Sequence, residues 1–180
     1  APESGSKITL QKIKKKIKIE RMKESIRSAI SKGMSVKLNL MLGFPHETHK
    51  EMFQTLNFVK DAAIMGVTDV YIASFSPYPG SELFDQLHEN GQISTLNDEY
   101  FLNLQSLSDL LHSHSYSQHI SHRMLTFYRL FGISMFYIIR FILHPKRIFR
   151  VIGNLTKKRF KPSNVLEQRL YDVFMRQKYF

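Results

Sequence analysis

Residues 38–51 read LNLMLGFPHETHKE, and the change of period inside this stretch decides the fold. Up to Gly43 the chain alternates: Val36, Leu38 and Leu40 fall on one side, Lys37, Asn39 and Met41 on the other. A period of two marks a β-strand. Gly43 and Pro45 stop it. Thr48 then opens a helix with Glu51 three residues on, the spacing at which each side chain satisfies an orphan backbone N–H at a helix start. Met52, Phe53, Leu56 and Val59 follow at helical spacing, and Gly66 closes the helix. Strand, tight turn and helix make the repeating unit of α/β folds, in which ligands bind at the carboxyl ends of the strands.

The unit recurs. Residues 69–75, DVYIASF, alternate like a strand, and 76–80, SPYPG, form a turn in which two prolines keep Ser76 and Tyr78 extended. Ser81 suits a helix N-cap, Leu83, Phe84 and Leu87 form an apolar stripe, and Gly91 ends the helix. A third unit is cut short at the start: 1–6, APESGS, reads as a strand-end loop. The helix after it is clearest over 19–32, with Ile19, Met22, Ile26 and Ile30 on one face and Gly33 as stop. Two complete βα units and a partial one predict right-handed crossovers and a parallel sheet. In a strand of a barrel Val36, Leu38 and Leu40 would face the helices, and Asn39 and Met41 the lumen. Asn39 can equally serve only to hydrogen-bond a neighbouring strand.

ESGS at 3–6, MLGFPHET at 41–48 and FSPYPGSELFDQL at 75–87 together resemble the second half of a radical S-adenosylmethionine domain, most closely its cobalamin-binding branch. The resemblance covers residues 1 to about 93, with three motifs in the family's order. FYIIRFILHPKRIFR, at 136–150, is similar to the C-terminal extension of cobalamin-type members. The chain departs from the family at His46, where Gly is usual, and in having no C-x-x-x-C-x-x-C. The resemblance implies an α/β fold: the C-terminal half of a partial (β/α) TIM-like barrel over 1–95, then a helical, basic extension over 96–180. It also implies an enzyme that reductively cleaves S-adenosylmethionine to a radical. The 4Fe-4S cluster would be held by cysteines upstream of this chain, and cobalamin would sit in an upstream domain. The chain is expected to be the C-terminal piece of a longer protein and inactive alone.

For S-adenosylmethionine the resemblance implies Glu3, Ser4, Gly5, Asn39, Met41, Gly43, Ser76 and Pro77 as binding residues; catalytic residues remain unassigned and no metal ligand is expected within this chain. The chemistry suits the ligand. Glu3, Ser4 and Ser6 offer groups for its ribose diol or amino group. Gly5 and Gly43 let backbone come close. Met41, Leu42 and the turn from Ser76 to Tyr78 offer an apolar wall with backbone hydrogen bonds for adenine. ESGS also reads as an ordinary turn and N-cap cluster, and Glu47 as a favourable charge at its helix start.

The chain of 180 residues allows one domain or one plus an appendage. It has no cysteine, so it forms no disulfide and supplies no thiolate. No signal peptide is visible, and a cytoplasmic setting follows as the expectation. The net charge of +11 is uneven. Residues 1–120 carry 13 basic and 13 acidic side chains; 121–180 carry 13 basic against Glu167 and Asp172. The tail is therefore a polybasic element that seeks anionic surfaces. The lysine run at 7–18, KITLQKIKKKIK, reads instead as a solvated helix face.

Asn97 or Thr95 can cap a helix carrying Phe101, Leu104, Leu107, Leu110 and Leu111. His112, His114, His119 and His122 follow among serines; their spacing fits no dedicated zinc motif, and they read as a polar connection. Residues 124–143 are the apolar peak, interrupted by Arg129 and Arg140 and ended by Pro145. Two readings stand. The segment is a helix packed on the barrel, or it lies in a membrane interface with its arginines snorkelling to headgroups. With the basic run that follows, residues 124–161 predict a peripheral contact with the anionic inner face of a membrane. A small-molecule or lipid substrate fits that location. DNA is not expected; RNA stays open, though no base-reading or stacking motif is evident. The last segment, 165–180, reads as a short amphipathic helix.

Overall fold

The computed structural model describes residues 1–105, 111 and 113–145. Strands β1 (Lys37–Leu42) and β2 (Asp69–Ser74) pair in parallel, Lys37 opposite Asp69 through Leu42 opposite Ser74. The crossover between them is the long helix α3 (His49–Met65). Thr48 and Glu51 make the forecast capping box, and Gly66 at φ 105° ends α3 in the left-handed conformation that glycine tolerates best. Before β1 come α1 (Lys7–Lys12) and α2 (Ile19–Ser31); after β2 come α4 (Glu82–Glu89), α5 (Asp98–Gln105) and α6 (His122–Leu143). Ser81 caps α4 by accepting from Phe84 N, and Asn97 Oδ1 accepts from Tyr100 N at the start of α5. These side chains satisfy backbone donors that a helix start leaves without partners.

The alternation in β1 is expressed as burial. Leu38, Leu40 and Leu42 are buried, Lys37 and Asn39 exposed, Met41 half-buried. The leucines join Val70 and Ile72 in one core with Met52, Leu56 and Val59 of α3. Leu125, Tyr128 and Phe136 of α6 complete the same core. A second apolar cluster gathers Phe44, Phe75, Phe84, Leu87, Tyr100 and Tyr116 around the segments that follow the two strands.

Both edges of the sheet have company. Glu3 bridges Leu40 in parallel and its carbonyl accepts from Met41 N at 2.7 Å, so the 2–4 segment lies beside β1. The order is then 2–4 segment, β1, β2, consecutive in sequence and parallel throughout. The described residues form this much of a sheet and do not themselves close a barrel.

At the β2 edge α6 packs on the sheet, the first of the two readings of residues 124–143. Phe75 N donates to Leu42 O, and with the observed register this turns the odd-numbered backbone groups of β2 toward β1. The carbonyl of Ile72 therefore points to the opposite edge. There it accepts from Nε of Arg129 at 3.2 Å, while another guanidinium nitrogen of Arg129 donates to Ser113 Oγ at 2.6 Å. Arg129 is completely buried and Arg140 nearly so. Both lie on the inner face of α6, not reaching outward to headgroups. The charge of Arg129 is used to satisfy backbone at a sheet edge.

Gly132 lets α6 come this close, since a Cβ there would stand 2.8 Å from Ile72 Cδ1 and Leu56 Cδ2. The outer ridge of the helix stays uncovered among the described residues, exposing Met124, Phe127, Phe131, Ile138 and Ile142. By length and composition α6 could cross a membrane, but a third of its apolar window is buried in the protein. Replacing Arg129 by Met keeps most of the volume and removes the donor to Ile72. The expected loss is about 1–3 kcal/mol for an orphaned buried carbonyl, measurable by urea denaturation against an outward change such as Ser134→Ala, which should be near neutral.

Candidate functional site

The turn after β1 is built around one carboxylate. Glu47, fully buried, accepts from Gly43 N at 2.8 Å and Phe44 N at 3.1 Å through one oxygen, and from the Thr9 hydroxyl at 3.0 Å through the other. It thereby ties α1 to the end of the strand. Its own carbonyl accepts from Ser117 Oγ at 2.7 Å, which fastens the 113–121 connection to the same turn. The expected role of Glu47, a charge at the start of α3, is filled by Glu51, whose carboxylate accepts from Thr48 N at 2.9 Å. Burial pushes the Glu47 carboxyl up from 4.5 to about 7, against the two backbone donors and Thr9, which favour the ionised form.

At the carboxyl ends of β1 and β2 lies a cleft of about 340 Å³. Met41 comes from β1, Phe75, Ser76 and Tyr78 from the segment after β2, Leu83 and Gln86 from α4, and Lys12 from the end of α1. Its volume sits in the range of small-ligand sites, which combine mostly apolar walls with a few polar groups. Lys14 and Glu82 pair across its rim at 2.5 Å. Both side chains are well exposed, so the pair adds little stability.

Two of the eight expected binding residues, Met41 and Ser76, line this cleft. The other six stand elsewhere. Glu3 has φ 61° and pairs with Lys15 at 3.1 Å. Ser4 is buried, its hydroxyl 2.9 Å from that of Thr55, which also accepts from Gly5 N. Gly5 allows close approach to α3: a Cβ there would meet Phe58 Cβ at 2.5 Å. Gly43 has φ 91°, and a Cβ on it would stand 2.7 Å from Leu125 of α6. The close neighbours of both glycines are thus helices of this chain. Asn39 is exposed on the sheet face away from the helices, opposite Tyr71. Pro77 lends its carbonyl to the Tyr100 hydroxyl. Ser6 caps α1, accepting from Thr9 N.

Sequence reasoning assigned Lys12 and Lys14 to a solvated face, and the structure brings both to the cleft. Both stay exposed, as expected; what brings them to the cleft is the end of α1 at Lys12, after which Lys14 takes φ 58°, and no sequence pattern marks that end. The histidine group divides. His114 and His122 meet at a tilt, 4.6 Å between ring centres, while His119 and His46 both line a second recess. Among the described residues no group of three or more His, Asp or Glu side chains is placed to hold a metal ion. The basic run at 146–161, His112 and the 165–180 segment lie outside the described residues.

No protein-family model matches the chain. Over 113 residues it is 27% identical to an uncharacterized methyltransferase of Pyrococcus horikoshii, covering 61% of this chain and 23% of that protein. Over 120 residues it is 27% identical to the threonylcarbamoyladenosine tRNA methylthiotransferase MtaB of Bacillus subtilis, covering 65% and 25%. The chain spans about a quarter of the length of these curated relatives. The fold is α/β with a ligand-sized cleft at the carboxyl ends of parallel strands, and the distant likeness is to group-transferring enzymes.

The raised affinity of Glu47 for its proton makes stability depend on pH. The folded state holds this proton more tightly than the unfolded chain, so its stabilising contribution is complete below pH 4.5 and is lost as pH rises through about 7. Glu47→Gln keeps an acceptor for Gly43 N and Phe44 N without the charge. Urea midpoints of the variant between pH 5 and 8 should be flatter than those of the parent, and higher at pH 8.

Proposed function

We propose that this chain is the C-terminal part of a radical S-adenosylmethionine enzyme, the C-terminal half of a partial (β/α) barrel with a helical extension. The observation that carries the reading is the cleft at the strand ends, where Met41 and Ser76, from two separate motifs, meet. The lining fits the ligand. Met41, Ile13, Phe75 and Leu83 offer apolar walls for adenine, Ser76 and Ser81 hydroxyls for the ribose, and Lys12 a cation for the carboxylate. When bound, S-adenosylmethionine supplies an activated carbon–sulfur bond; this chain's part is to bind and orient it. The names of the two relatives, a methyltransferase and a methylthiotransferase, support group-transfer chemistry.

A 4Fe-4S cluster does not fit the residues present, because the chain holds no cysteine. Cluster thiolates, and a cobalamin domain if the enzyme uses one, belong elsewhere in the full-length protein. Reconstituting this chain alone with iron and sulfide should give no stable cluster absorption. In the full-length protein, Met41→Lys should weaken S-adenosylmethionine at least about tenfold, or 1.4 kcal/mol, with an unchanged melting temperature. Unchanged affinity in a folded variant would remove the cleft from the reading.

The same proposal includes an anionic membrane surface as partner, with a small-molecule or lipid substrate. The outer ridge of α6 and the charge of the tail support it. An RNA substrate is the second reading, favoured by the tRNA named for one relative and by the same basic charge. Flotation separates the two. Phe127→Ser with Phe131→Ser should abolish binding to anionic vesicles without unfolding, because both side chains lie on the outer ridge. Phe136 is core and unsuited to the test. Displacement of the parent protein from vesicles by RNA at modest salt would favour the RNA reading.

A further inference from the structure

Beside the cleft, and sharing Lys12, Leu83 and Gln86 with it, is a second recess of about 480 Å³. Its other walls are Pro45, His46, Gln118 and His119. The polar side chains here are an ammonium, two imidazoles and two carboxamides. None of the lining residues is a carboxylate. The acidic groups nearby are already engaged: Glu47 by Gly43, Phe44 and Thr9, Glu51 by Thr48, and Glu82 by Lys14. Of these carboxylates Glu82 alone has a cationic partner, Lys14, and Lys12 is the one cation among the described residues that line the recess.

His46 adds an independent observation. Its ring stacks on Phe44 at 5.9 Å between centres, and its Nε2 is shielded from solvent with no hydrogen-bond partner. Buried polar atoms in native proteins are seldom left so, since an unsatisfied donor or acceptor carries its full desolvation cost. Burial, and then the Lys12 ammonium, hold the imidazole below its ordinary pKa, against the pull of Glu51, so the ring is neutral at pH 7 and able to donate one N–H.

We propose that this recess is an oxyanion subsite, in which Lys12, the His46 imidazole, His119 and the Gln86 and Gln118 amides receive a phosphate group of the ligand. A phosphate offers several acceptor oxygens and negative charge, and a donor-rich wall with one ammonium and no lining carboxylate matches it. Lys12 faces both cavities, so an anionic group in the cleft and a phosphate in the recess compete for the same ammonium. The subsite gives the loop residue His46 a role that stacking on Phe44 alone would not require.

The test is a titration of the 180-residue chain with inorganic phosphate, followed by the imidazole carbon and proton resonances of its histidines. Saturable shifts confined to His46 and His119 are expected at millimolar phosphate. His46→Phe retains the stacking on Phe44 and loses the nitrogen; Lys12→Gln retains length and loses the charge. Each should weaken the phosphate about tenfold with an unchanged melting temperature. Parallel titrations with a nucleoside monophosphate and with a short-chain phosphatidic acid tell which carrier of the phosphate binds more tightly than the free ion. Shifts that never saturate, that spread equally over His88 and His122, or that persist in both variants would overturn the proposal. S-adenosylmethionine binding is measured on the same samples; Lys12 lines both cavities but His46 only the recess, so the His46→Phe variant reads a failure of the recess separately from a failure of the cleft.

Discussion

The carboxylate of Glu47 is the constraint on which the mouth of the structure depends. Two successive backbone N–H groups, Gly43 and Phe44, turn inward at the end of β1, where water does not reach them. A buried donor left unpaired costs about 1–3 kcal/mol, so the turn holds only if something accepts from both. Glu47 does so with one oxygen and takes the Thr9 hydroxyl with the other. The strand end, α1 and the entry to α3 are thereby set by one side chain. The walls of both cavities follow, because Lys12 rides on α1 and His46 on the turn itself.

Sheet edges impose the next requirement, since an unpaired strand edge presents backbone groups that must find partners or water. At β1 the partner is backbone, through Glu3 and Met41. At β2 the Ile72 carbonyl is met by a buried guanidinium. An arginine suits this task because its planar fork offers five donors and reaches two acceptors at once. The edge of β2 and the 113 segment are thus fastened to α6 by the same residue.

Local order was legible in the sequence wherever one element speaks for itself. The alternation of residues 36–41, the Thr48–Glu51 box, the caps at Ser81 and Asn97 and the stop at Gly66 all stand where period and capping chemistry put them. What could not be read were side chains whose partners are distant in sequence. Arg129 looks like surface charge until Ile72, 57 residues earlier, supplies an acceptor. The Ser4 hydroxyl likewise meets that of Thr55, 51 residues on. Glycines at 5 and 43 signal close approach correctly, but composition does not say whether a helix or a ligand approaches.

The direction of α6 carries one more consequence. Its first turns meet the Gly43 turn through Leu125, and its last turn places Arg140 beside Gly66, which precedes β2. The helix therefore runs opposite to the strands and works as a ruler, roughly 30 Å long at 1.5 Å per residue. The cleft lies at its beginning. The chain leaves it at His144 and Pro145, toward the amino ends of the strands. A contact made just past that exit would grip the protein by its base and leave the mouth facing away. A contact along the ridge of Phe127 and Phe131 would lay the mouth alongside whatever surface is touched. Distances from a spin label near residue 144 and another near residue 78 to the same surface would differ by most of the ruler's length in the first orientation and hardly at all in the second.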